Sequence, residues 1–125
     1  MTKLEALKEL LAKVEAGKLD ECLYTNCATA IGGAQCERVI DAYRGSLDAA
    51  KALHEAVLPG WAVERVTMWP GRNGMCSAHL WGTHDKDGER WHNSVDGRAE
   101  AKSDNPARAW FIAIIKALIA MEPEQ

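Results

Sequence analysis

Over the first sixty residues apolar side chains recur at intervals of three and four, and after Trp61 the interval falls to two. The first period is that of a helix with one buried face, the second that of a strand. Leu4, Leu7, Leu11 and Val14, with Leu10 widening the stripe, predict a helix over 3–16 that Gly17 stops. Thr2 and Glu5 have the spacing of a capping box at its start. Leu19, Cys22, Leu23, Cys27, Ala30 and Ile31 predict a second helix over 19–31, closed by Gly32 and Gly33. Val39 and Ile40 mark a short third over 35–43. The segment SLDAAKALHEAVLPGW (46–61) reads as a fourth, with Ser46 as N-cap, Asp48 in the first turn and Pro59-Gly60 as the stop. Leu47, Ala50, Leu53, Val57 and Leu58 line one face of it, and His54 falls inside the same arc. That position points to a packed, hydrogen-bonded histidine rather than a catalytic one.

Beyond the stop, WAVERVTMW (61–69) is rich in β-formers, residues 70–74 form a turn, and MCSAHLWGT (75–83) alternates cleanly. Cys76, Ala78 and Leu80 fall on one face of that strand; Ser77, His79 and Trp81 fall on the other. DKDG (85–88) reads as a hairpin turn, ERWHNSV (89–95) as the returning strand, and the polar segment 96–104 as a loop. In NPARAWFIAIIKALIAM, Asn105 caps, Pro106 takes the first helical position, and Trp110, Phe111, Ile114, Ile115, Leu118 and Ile119 spread over a very broad arc. A helix this apolar must be covered on most sides. The expected fold is therefore α+β over one domain, 1–125: helices to residue 60, a meander of about three antiparallel strands over 61–95 sandwiched by helices, and a buried core helix over 105–121.

Composition narrows the function classes. A net charge of −3, with basic residues scattered among acids, lacks the footprint that counterion release rewards, so it disfavours nucleic acid as a partner. The first eighteen residues are charged throughout, and the longest apolar run is too short for a bilayer and carries Lys116. The expectation is a cytoplasmic protein without a membrane contact, whose four cysteines are thiols.

Two blocks, SLDAAKALHEAVLPGW and the closing NPARAWFIAIIKALIA, stand in the order found in small phage and prophage proteins grouped as the phage ABA sandwich domain, which the chain resembles. LEALKELLAKVEAG followed by LDE is similar to that family's N-terminal segment. The resemblance implies helices on both faces of a sheet and a phage context in a bacterial host cell, with no reaction attached. It is weakest over the cysteine-bearing stretch 20–36 and the Trp- and His-rich strands.

Candidate chemistry is sparse. Cys22, Cys27 and Cys36 are separated by four and eight residues rather than by the short gaps of zinc knuckles. Cys76 and His79 have a knuckle-like gap, but three residues apart on a strand they point to opposite faces. No metal, cofactor or catalytic set is expected, and the enzyme reading, through Cys–His or metal chemistry assembled in space, ranks last. The hairpin is the richest constellation: with residue 84 paired to 89, His79, Trp81, Arg90 and His92 share one surface. An indole among imidazoles and a guanidinium suits a protein anchor or a nucleotide-type ligand. Burial of Trp81 beneath a helical layer is the competing reading. The functional expectation is a non-catalytic phage binding protein, its partner a host protein such as a defence enzyme or nuclease complex, with sequestration of a nucleotide-type ligand as the alternative and room for a homo-oligomer.

Overall fold

A computed structural model of the chain describes residues 2–16, 23–69, 75–82, 84–86, 89–91, 98–103 and 105–121. Helix α1 spans Lys3–Glu15, and its capping box is complete: the Glu5 amide donates to Thr2 Oγ1 (3.1 Å) and the Thr2 amide to Glu5 Oε2 (3.3 Å). Its buried face is Ala6, Leu7, Leu10 and Val14, with Leu4 and Leu11 at the half-buried margins. Helix α2 spans Leu23–Ala30, and a single 3-10 turn, Gly33–Gln35, leads into α3, Cys36–Arg44. Residues 17–22, which include part of the expected second helix and Cys22, lie outside the described residues.

The joint between α3 and α4 (Leu47–Val57) takes two residues. Gly45 ends α3 at φ 118°, and the Ser46 amide bonds back to the Asp41 carbonyl at 2.9 Å. Ser46 then caps α4, its hydroxyl accepting from the Ala49 amide at 3.1 Å. Leu47, expected on the apolar face of α4, is instead 46% exposed, although Ala50 in the same turn is fully buried. His54 is buried, as its place in the arc predicts.

Strand β1 spans Trp61–Trp69 and β2 spans Met75–Gly82. Their antiparallel ladder carries a bulge between Val63 and Arg65. Ahead of it Trp61 pairs with Gly82 and Val63 with Leu80; beyond it Val66 pairs with Ala78 and Met68 with Cys76. The extra residue changes the parity of β1, so that Trp61 and Val66 both meet core-side positions of β2.

The strands after β2 differ from expectation. Residues 84–86 (β3, His84–Lys86) and 89–91 (β4, Glu89–Trp91) form a separate two-stranded ladder in which His84 pairs with Trp91 and Lys86 with Glu89. The third strand of the main sheet is β5, Arg98–Ser103, inside the segment read as a loop. Its sequence, RAEAKS, holds no β-branched or aromatic residue, so no strand signal was available. Pairing decides the matter instead: Ala99 stands opposite Leu80 and Ala101 opposite Ala78, the two fully buried positions of β2.

Helix α5, Pro106–Met121, is the packing partner of all three strands and also of α1, α3 and α4. It thus lies between the sheet and the other helices. Phe111, Ile112, Ile114 and Ile115 are at most 2% exposed. Burying each such side chain contributes about 1.5–3 kcal/mol. Asn105 Oδ1 caps the helix through the amides of Ala107 (3.0 Å) and Arg108 (3.2 Å). Arg108 ties the start of α5 to α3, donating from Nε to the Tyr43 carbonyl (3.1 Å) with its guanidinium 3.9 Å over the Tyr43 ring. The architecture is α+β, with a three-stranded antiparallel sheet and a C-terminal helix packed against it. No helix among the described residues is long and apolar enough to cross a membrane.

The Trp61 indole lies across Gly82: a Cβ on Gly82 would sit 2.5 Å from two of its ring carbons. Gly82→Ala is therefore expected to cost about 1–3 kcal/mol through overpacking. Denaturant melts should show a lower midpoint at unchanged m-value, and a wild-type midpoint would contradict the stacking.

Candidate functional site

The alternation of β2 sorts its side chains as the sequence predicts, except that Ser77, expected on the face of His79 and Trp81, is buried at 8% exposure. Cys76, Ala78 and Leu80 are buried toward α5, while His79 and Trp81 are half-buried on the outer face. The ladder supplies their neighbours. His79 stands opposite Arg65 of β1 and Glu100 of β5; Trp81 stands opposite Ala62 of β1 and Arg98 of β5. Arg65 and Ala62 are exposed. Directly opposed residues have Cβ atoms about 4.5–5.5 Å apart, and His79 and Trp81, two apart on one strand, are about 6.6 Å apart. An indole, an imidazole and a guanidinium are thus gathered within the span of one anchoring side chain from a partner. The small Ala62 leaves the β1 flank of Trp81 uncrowded.

Of the four expected site residues, Arg90 is paired elsewhere. Arg90 pairs with Asp85 in the separate β3–β4 ladder, away from the β1–β2–β5 register, and His92 lies outside the described residues. The register expected from the DKDG turn joined 84 to 89; the observed one joins 84 to 91, and β2 takes β5 as its neighbour. Arg65 was missed because its face depends on the bulge, which only the switch of apolar spacing at Trp61, Val63, Val66 and Met68 hints at.

The other chemistry-bearing residues turn inward. His54 is 5% exposed and bridges three elements. Trp110 Nε1 donates to His54 Nδ1 at 3.2 Å, and an indole nitrogen can only donate. Nδ1 is therefore the acceptor, and Nε2 carries the hydrogen that the Trp61 carbonyl accepts at 2.9 Å. Both ring nitrogens are engaged in packing α4 against α5 and β1, which leaves neither for proton transfer to a substrate. Cys76 is buried on the face of β2 opposite His79, so the two do not converge on one metal ion. Cys27 is fully buried, and burial, then a hydrogen bond with Cys36 and the charge of that neighbour, push its thiol from 9.0 up to about 12. A thiol so held is a poor nucleophile at neutral pH. Among the described residues no group of three or more His, Cys, Asp or Glu side chains is placed to hold a metal ion.

His54→Phe keeps the ring volume but strands the Trp61 carbonyl and the Trp110 N–H, at an expected cost of about 2–4 kcal/mol in denaturant unfolding. The imidazole nitrogen NMR spectrum of the wild type should show a proton on Nε2 alone. For Cys27, the raised folded value means that above pH 9 an unfolded chain releases a proton that the folded chain keeps. Its contribution to stability is complete below pH 9 and is lost as the pH rises toward about 12. Denaturant midpoints above pH 9 should fall more steeply for the wild type than for Cys27→Ala; parallel curves would contradict the assignment. Compared with known proteins, the chain matches no family model, no curated protein and no solved structure.

Proposed function

We propose that this chain is a non-catalytic binding protein whose contact surface is the outer face of the sheet, and that its partner is a host-cell protein with an acidic surface. The observation that carries the reading is Trp81: a large aromatic half-open on the central strand, between Ala62 and Arg98 in register and one pair removed from Arg65. Trp and Arg dominate the binding energy of protein interfaces, because each combines a large apolar body with directional donors. An exposed guanidinium beside an indole favours a carboxylate-bearing surface as its complement. The inward use of His54, Cys27 and Cys76 supports the non-catalytic half of the reading. The phage context, and within it the blocking of a host defence enzyme or nuclease complex, rests on the two sequence blocks described above.

The test is affinity capture from bacterial lysate with four baits: the wild type, Trp81→Ala, Arg65→Glu, and Lys8→Glu on the exposed side of α1 as a charge-matched control. A partner retained by the wild type and by Lys8→Glu, and bound at least ~30-fold more weakly by the two sheet variants with melting temperatures unchanged, is the expected outcome. Equal retention by all four baits would sink the sheet-face assignment. The same nearness of Trp81 to Arg65, one pair removed, favours a second reading, a nucleotide whose base stacks on the indole while its phosphate meets the guanidinium. A melting temperature raised by nucleotides in the wild type, and unmoved in Trp81→Ala, would transfer the site to that reading.

A further inference from the structure

Strand β1 lies at one edge of the sheet, and among the described strands it pairs with β2 alone. A nine-residue edge strand is a template on which a further strand can form. Its side chains are also less covered than those across the ladder. Val63 is 37% exposed and Val66 half-buried, whereas their partners on β2, Leu80 and Ala78, have no exposed surface. The helical cover thus thins toward this edge and leaves two valines partly open on the helix-facing side.

The bulge gives β1 a symmetry that a regular strand lacks. Ahead of it, Trp61 and Val63 stand opposite the inward positions Gly82 and Leu80, and Ala62 stands opposite the outward Trp81. Beyond it, Val66 and Met68 stand opposite the inward Ala78 and Cys76, and Thr67 opposite Ser77, on the other face. Counted in either direction from the Glu64–Arg65 peptide bond, the positions 63, 62, 61 and 66, 67, 68 both run inner, outer, inner. In a regular strand, residues placed symmetrically about a peptide bond differ by an odd number and fall on opposite faces. Here the extra residue brings them to the same face.

We propose that two copies of this chain join β1 to β1, antiparallel, about a twofold axis through the Glu64–Arg65 bond, so that their sheets become one. In that register Val63 of each copy stands opposite Val66 of the other, and Ala62 opposite Thr67, each pair on one face. The two partly open valines of one copy are covered by those of the second. At the axis, Glu64 of each copy stands opposite Arg65 of the other, so the charges are self-complementary, as an isologous contact requires. A bulge on an edge ordinarily discourages pairing by bending the strand. Placed on the axis it bends both strands alike, and the pairs on either side keep step. Trp81 lies on β2 and takes no part, so this contact and the outer-face reading stand or fall separately.

The test is sedimentation equilibrium of the full chain at loading concentrations up to about 0.3 mM, where even a weak dimer is populated. The wild type and Trp81→Ala are expected to approach twice the 13.7 kDa of one chain. Glu64→Arg and Arg65→Glu each set like charges opposite one another at the axis, and each should weaken the dimer at least ~10-fold. The double variant Glu64→Arg/Arg65→Glu exchanges the charges and should regain the wild-type association. Val63→Lys, at a side chain already exposed, should give a single-chain mass with an unchanged melting temperature. A wild type of single-chain mass at every concentration overturns the proposal. So does a dimer that Val63→Lys and both single reversals leave intact, a double variant no stronger than the single ones, or a dimer that Trp81→Ala dissolves.

Discussion

Nine of the sixteen residues of α5 are buried, and they lie on all sides of the helix axis. A helix of that character has no wet face, and it is stable only where apolar surface meets it from two opposite directions. The sheet supplies one cover; α1, α3 and α4 supply the other. Each covering element is amphipathic and marginal alone, since short helices and isolated strands do not hold their shape in water. Their stability is borrowed from α5. The alanines at 107, 109, 113 and 117 let neighbouring backbones come close, while Phe111, Ile114 and Ile115 fill the space between layers.

Apolar burial is non-directional and would tolerate sliding of one layer over another. Directional contacts remove that freedom. His54 joins α4 to the Trp110 side chain on α5 and to the Trp61 carbonyl on β1, so one imidazole sets three elements in register. Arg108 does the same for α5 and α3 through the Tyr43 carbonyl and ring. Trp61, held by its carbonyl, lays its indole on Gly82 and so aligns β1 against β2. The His54–Trp110 and Arg108–Tyr43 contacts couple segments 56 and 65 residues apart in sequence. That is how a core made largely of Ala, Leu and Ile acquires one arrangement rather than several.

Legibility followed the range of the interaction. The capping box at Thr2, the Ser46 cap and the Asn105–Pro106 start are local, and their short-range chemistry shows in the sequence. So does the inward place of His54, which needs only the helical period. Strand β5 was hidden because RAEAKS has no intrinsic preference for a strand and becomes one by pairing with β2. The candidate site divides in the same way. His79 and Trp81 share a face by the two-residue period of one strand, which no partner can alter. Arg90 and His92 were joined to them through an assumed turn register, the feature least constrained by local sequence. The register neighbours of His79 and Trp81 that local sequence did not show, Arg65 and Arg98, come from a bulge and from a strand with no signal of its own.

The histidine of SLDAAKALHEAVLPGW and the cysteines invited a catalytic reading, and the fold answers it by where it spends them. His54, Cys27 and Cys76 face the core, where their polar atoms meet fixed protein partners or their sulfur fills volume. What faces outward on the central strand is an indole and an imidazole, side chains suited to contact.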